Sequence, residues 1–308
     1  MLKSVRPVIL FTRASRRSSI PLVALASSRK NTAVRPDLPS ASAAWHRIVV
    51  ERQYCRVFPL LWCLLLFVAV DTAAEAEWRR GTVTRFVDGD TLILDSGETI
   101  RLAGINTPEM ATDSRPAEPL ALEARNALSA QLVDGQLLIE DAPQPSDRYG
   151  RTLAYLFRID GASVQEALLH KGLASAVAIA PNDRYLDRFI RAEQTARRTG
   201  RGIWAMKYYA PVPADKVRGG YQFMRAQVSR IEMAKKWFVF SVEKDFVILV
   251  RRSAWESEFD YSPDALDQRR IAVRGWFSKK KDRATLVINH PFMLERCGID
   301  PPRLCRDD

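Results

Sequence analysis

Residues 87–109 read VDGDTLILDSGETIRLAGINTPE, and the rest of the chain is arranged around this stretch. Two short apolar runs, TLIL at 91–94 and TIRL at 99–102, have the residue types of strands. Asp95-Ser96-Gly97 lies between them and predicts the turn of a β-hairpin. Asp88, Asp90, Arg101, Asn106 and Glu109 gather around the two runs. Asp90 and Asn106 offer the hard oxygen ligands that a cation such as Ca²⁺ takes together with carbonyls and water. Glu109 is a carboxylate suited to orienting or deprotonating a water. Arg101, and Arg151 further along in DRYGR, are permanently charged forks that match phosphate oxygens in pairs. Each residue also has a plainer role: Asp88 and Asp95 as turn formers, Arg101 and Arg151 as surface charges. Taken together and in this order, they point to a divalent cation held against a phosphodiester.

Working outward, residues 81–86 predict a strand before the hairpin. Pro119 opens a helix whose apolar face is Leu120, Leu122, Ala124, Ala127, Leu128 and Leu132, stopped by Gly135. Residues 136–140 read as a short strand, 143–147 as a loop and 152–158 as another strand. Ser163 and Glu166 have capping-box spacing for a helix over 164–171. Asn182 or Asp183 is placed to cap a last helix over 185–198. Five short strands with three helices predict an α+β domain over residues 77–208, built on a closed OB-type barrel.

The succession VDGDTLIL, IRLAGINTPE, DRYGRTLAYLF, VQEALLHKGLA and GIW resembles the thermonuclease, or staphylococcal-nuclease-like, family over residues 81–204. The resemblance implies an OB-barrel nuclease that uses one Ca²⁺ ion to hydrolyse DNA and RNA and leaves 3′-phosphate products. By position it implies Asp90 as a metal carboxylate and Thr107 as a metal ligand through its backbone carbonyl. It implies Arg101 and Arg151 as the catalytic arginines and Glu109 as the general base. Tyr149 matches a tyrosine that contacts a substrate phosphate. Two positions depart from the pattern. Asn106 stands where an aspartate is usual, which removes one formal charge and predicts weaker metal binding or another preferred cation. The stretch ASAVAIAP at 174–181 lacks the tyrosines on which bases would stack, worth about 1–3 kcal/mol per base.

APVPADKV at 210–217 reads as a domain link, so residues 209–219 are taken as a linker. Residues 220–308 then alternate β-branched and aromatic runs at 221–231, 237–242, 246–250, 271–277 and 284–288. They predict a smaller β-rich, OB-like barrel. Lys235-Lys236-Trp237, Arg251-Arg252 and Lys279–Lys281 can be an auxiliary nucleic-acid surface or solvated hairpin turns. Cys297 and Cys305 close a nine-residue segment, CGIDPPRLC, which predicts a disulfide in an oxidising compartment.

The net charge of +11 favours polyanionic partners, and three histidines far apart in sequence exclude a His-rich zinc motif. At the N-terminus, residues 1–48 form a basic extension, and a start near Val49 or Val50 is one expectation. Residues 49–76 have the layout of a secretory signal peptide. Arg52 and Arg56 precede an apolar run at 57–70, and Ala74-Glu75-Ala76 supplies a cleavage pattern. A retained membrane anchor through 57–70 is the alternative. These features predict a secreted, periplasmic or envelope-bound nuclease acting on DNA and RNA. The rival reading is a nucleic-acid-binding OB module at the envelope that has lost catalysis.

Overall fold

The hairpin predicted from residues 91–102 is the centre of the barrel. The computed structural model describes residues 78–243, 246–280, 283–300 and 304–305. The basic extension, the signal or anchor segment, Cys55, Cys63 and Lys281 lie outside the described residues. Among the described residues, no helix is long and apolar enough to cross a membrane.

Strands β1 (Arg79–Phe86), β2 (Thr91–Leu94), β3 (Thr99–Leu102), β5 (Gln136–Ser146) and β6 (Thr152–Phe157) close a barrel in the order β1-β2-β3-β6-β5. All neighbours are antiparallel except β3 and β6, where Arg101 pairs with Leu153. Leu92, Ile100, Leu102, Leu137, Ile139 and Leu156 fill the core. Three helices cover the barrel: α1 (Ala121–Ser129), α2 (Val164–His170) and α3 (Leu186–Arg198). A two-residue strand, β4 (Ile105–Asn106), pairs with β7 (Ser175–Ala176) and leads directly into the site.

Several local expectations need correction. The barrel strand β5 continues to Ser146 through Pro143 and Pro145, where a loop was expected. It does so because its far end is exposed and irregularly paired, so the missing N–H groups cost no ladder bond. Helix α1 ends at Ser129, and Leu122 faces solvent instead of the core. Neither Asn182 nor Asp183 caps α3 with its side chain. Instead the Asn182 amide exchanges two hydrogen bonds with the Gln144 backbone and pins the end of β5. Ser163 does cap α2, accepting from the Glu166 N–H. Gln165, one turn in, is fully buried. It accepts from the Leu156 N–H and donates to the carbonyls of Ala154 and Ala103, which locks α2 to β6.

Past the barrel, β8 (Val212–Pro213) runs parallel to β9 (Gly220–Gln227), and Ala214 and Val217 are buried in the second core. The sheet continues through β10 (Arg230–Met233), β11 (Trp237–Glu243), β12 (Phe246–Arg251), β13 (Arg270–Lys280), β14 (Arg283–Ile288) and β15 (Leu294–Arg296). The expected run 221–231 is therefore two strands, broken at Val228-Ser229. A helix, α4 (Arg252–Glu258), follows β12 and buries Trp255 against Phe238, Phe240 and Phe259. The ladder runs β10-β11-β12-β14-β13-β9-β8, with β15 on β13. It is a curled sheet that stays open among the described residues, where a closed barrel was expected. Arg251 lies over Trp237 and Arg252 over Phe238, so these cations cover their own sheet's rings. Cys297 and Cys305 are disulfide-bonded.

The barrel and the sheet meet at one sealed ion pair. Arg274 of β13 donates from Nη1 to Glu193 Oε2 at 2.8 Å and from Nη2 to Oε1 at 2.9 Å. The guanidinium sits against the rings of Phe223 and Phe292. Glu193 also accepts the Ala176 N–H, while the Ala176 carbonyl receives Arg274 and the Tyr221 hydroxyl. The small residues at 174–178 are all buried, and they let the second sheet reach the backbone of β7.

Candidate active site

Two turns bring the sequence motifs together. In the first, Asp88 Oδ1 accepts the Asp90 N–H at 2.9 Å, which shapes the turn before β2. Gly89 between them has no room for a side chain: a Cβ would stand 2.6 Å from the Ala124 Cβ and 2.9 Å from the Thr107 side chain. This contact presses the turn against both α1 and the segment after β4. In the second, Asn106 ends β4, so Thr107 follows immediately and its N–H donates to Asp90 Oδ2 at 2.8 Å.

Arg101 lies between these turns. Its Nη1 is 2.8 Å from Asp90 Oδ2 and donates to the Leu102 carbonyl, and its Nη2 donates to Asn106 Oδ1 at 3.3 Å. The guanidinium thus bridges the two oxygens that the sequence offers as cation ligands. Asp90 Oδ1 accepts from the Thr91 hydroxyl, and the Asn106 amide donates to the Thr107 carbonyl at 3.2 Å. Asp90, Arg101, Asn106 and Thr107 are all buried.

Around this pair the field is acidic. Burial, and then the charge of Asp90, push the Asp88 carboxyl up to about 7. The same two causes, in the same order, raise Glu109, and Arg101 opposes them. The Glu109 N–H donates to Glu118 Oε2 at 3.0 Å, and its carboxylate lies 3.9 Å from Arg115, half open to solvent. Among the described residues, no cluster of three or more His, Cys, Asp or Glu side chains surrounds one point. Any dication here would draw on amide and backbone oxygens as well as on carboxylate.

Arg151 finds its partner outside this group. One residue before β6, it stands two positions ahead of Leu153, the register partner of Arg101, so roughly 7 Å away along the strand. Its Nε and Nη2 bind Asp147 Oδ2 at 2.8 and 2.7 Å. Burial raises the Asp147 carboxyl, but hydrogen bonds from Arg151 and from the Tyr149 N–H outweigh it and hold the group below its usual range. Tyr149 is exposed, with Arg148 and Arg151 both over its ring.

The sequence reading missed Asp147 as the tether of Arg151, although their four-residue spacing in DRYGR was a signal. Glu118 and Arg115 gave none, because they act on Glu109 from the irregular segment before α1.

The matched region begins at β3 and takes in the rest of the barrel and its three helices. The family described as Staphylococcal nuclease homologue matches residues 99–206. The chain is 34 % identical over 126 residues to the thermonuclease of Staphylococcus hyicus, covering 40 % of this chain and 74 % of that protein. This chain belongs to the thermonuclease family. It is also 36 % identical over 133 residues to endonuclease YncB of Bacillus subtilis (strain 168), covering 42 % of this chain and 63 % of that one. With the SPbeta prophage-derived endonuclease YokF of the same organism it shares 38 % identity over 133 residues, 42 % of this chain and 45 % of the other. Within this thermonuclease-family chain, the candidate site sits where β2, β3 and β4 converge.

Proposed function

We propose that the chain is a Ca²⁺-assisted nuclease that hydrolyses phosphodiester bonds of DNA and RNA. The observation that carries this is the guanidinium of Arg101 lodged between Asp90 and Asn106. A point that already stabilises one positive charge between hard oxygens suits a second cationic ligand, and Arg101 can then turn to phosphate. Asp90, Asn106 and the Thr107 carbonyl fit Ca²⁺ by donor chemistry. With a single formal charge among them, the ion binds more weakly than it would between two carboxylates. When bound, it would polarise a phosphate oxygen and make a nearby water more acidic.

The chain's own groups divide the remaining work. Glu109, with its pKa raised, accepts a proton from the water that attacks phosphorus in line. Arg101 and Arg151 neutralise charge building on the equatorial oxygens. Tyr149 stands beside Arg151 and can hold a neighbouring phosphate. The bond to the 5′ oxygen breaks and that oxygen takes a proton from solvent to leave as a hydroxyl, while the water oxygen stays on phosphorus and the product keeps a 3′-phosphate.

A second reading, binding without cleavage, is favoured by Asn106 and by the same guanidinium remaining in place. One experiment decides. The full chain is incubated with plasmid DNA and with RNA, with Ca²⁺ or chelator, beside the Glu109→Gln variant. Calcium-dependent degradation lost by about 10²–10⁴-fold in the variant is expected. Full activity in Glu109→Gln would remove Glu109 from this role, and binding with no cleavage would favour the second reading. Export or anchoring through residues 49–76 is proposed on the sequence pattern alone, and N-terminal sequencing of the expressed protein tests it.

A further inference from the structure

Beside the candidate site, a cleft of about 200 Å³ opens between the barrel and the second sheet. One wall carries Asn106, Thr107 and Arg115, and the other carries Tyr208, Arg218 and Gln222. The cleft is continuous with the reaction centre, because Arg115 both lines it and approaches Glu109. Glu118 also lines it but spends Oε2 on the Glu109 N–H.

The second wall is built to present its cation. Arg218 is exposed, and its guanidinium lies 5.3 Å over the Tyr208 ring. Gln222 fixes the Arg218 backbone from both sides: its Oε1 accepts the Arg218 N–H and its Nε2 donates to the Arg218 carbonyl. Among the described residues, no carboxylate pairs with Arg218. Tyr208 is 40 % exposed and is braced edge-on by Tyr209. Tyr209 is in turn anchored by its hydroxyl to the Pro119 carbonyl. A braced, half-open ring beside an exposed guanidinium, with Arg115 lining the same cleft, combines base stacking with phosphate attraction. That combination suits a single nucleic-acid strand, whose bases are free to stack.

We propose that this cleft is a single-strand subsite, in which Tyr208, Arg218 and Arg115 hold the nucleotides flanking the scissile phosphate. The second sheet then contributes directly to substrate binding. The stretch at 174–181, which lacks aromatic residues on the barrel itself, is compensated from outside. The assignment deepens the nuclease reading above and rests on it for the direction of the strand.

The test uses the full chain in chelator, so that binding is read without cleavage. A fluorescent single strand of about twelve nucleotides, a duplex of the same sequence and a dinucleotide are titrated. Tyr208→Ala and Arg218→Ala should each weaken the long strand about tenfold. In a separate cleavage assay with Ca²⁺ in place of chelator, the ratio of kcat/KM for the long strand over the dinucleotide should fall by a similar factor. Arg230→Ala, on β10, removes the same charge elsewhere. The proposal is overturned if Arg230→Ala costs as much as Arg218→Ala. It is equally overturned if neither cleft variant weakens the single strand, or if the duplex binds tighter than the single strand and loses as much. If Glu109→Gln instead keeps full activity, the catalytic reading fails while the binding result still stands.

Discussion

Two buried guanidinium–carboxylate pairs behave as opposites. Arg274 and Glu193 are closed off, with side chains 1 % and 2 % exposed, and rings cover the guanidinium on either side. Arg101 and Asp90 are 10 % and 6 % exposed and keep a little contact with solvent. The first pair is locally balanced: Glu193 has two guanidinium bonds, a backbone N–H and Arg197 at 3.8 Å. The second has one guanidinium against Asp90, with Asp88 and Glu109 close enough for Asp90 to raise both. The same chemistry is therefore closed in one place, and in the other it lies in an acidic field, which suits the role proposed above.

Removing each arginine should separate the two roles. Arg274→Met leaves the buried Glu193 with only Arg197, at 3.8 Å, and the Ala176 N–H, and should cost about 3 kcal/mol in denaturant unfolding. Adding Glu193→Gln should recover most of that loss, because the amide oxygen still accepts the Ala176 N–H. If the double variant is no better than the single, the pair is not what joins the two regions. Arg101→Met should show the reverse pattern. The rate of phosphodiester hydrolysis should fall about 10²–10³-fold, with a smaller loss of stability, since water can reach Asp90. A larger stability loss than for Arg274→Met would end the comparison.

Gly89→Ala sharpens it further. The added Cβ meets Ala124 and Thr107, so about 1–3 kcal/mol of strain is expected, with activity reduced more than in an equally destabilised Arg274 variant. The smallest effect belongs to Arg151. Asp147→Asn should change stability by about 0.2–1 kcal/mol while loosening Arg151. Because Asp147 is held below 3.8 when folded, the pairing is intact above that pH and is lost only as the pH falls through the depressed value. An NMR titration of Asp147 with its midpoint above 3.8 would contradict the tether.

The hairpin and the turns that carry Asp88, Asp90 and Asn106 were legible because their signals are local. Turn residues at 95–97 and the strand runs beside them determine one another, and Ser163 with Glu166 announces α2 within four residues. The proline-bearing end of β5 was not legible, since a short-range reading cannot tell that a strand edge is exposed. Asn182 looked like a helix cap for the same reason: its partner, Gln144, is 38 residues away. Arg274 and Glu193 are 81 residues apart on different elements, and neither stands out from the many charges around it. At the site, Asp90, Arg101 and Asn106 were readable from their order, whereas the tethering of Arg151 to Asp147, apart from that group, was not.

The grip on Ala176 has one more consequence. The second sheet binds a peptide unit of the barrel itself, through Arg274 and Tyr221, and not only side chains at a seam. A protease nick within residues 209–219 should therefore not free the two fragments. They should elute together from a sizing column and part only when strong denaturant opens the ring-covered bond. Expressed without its companion, the N-terminal fragment would leave Glu193 without its two guanidinium bonds and should prove sticky or short-lived until the missing piece is added in trans.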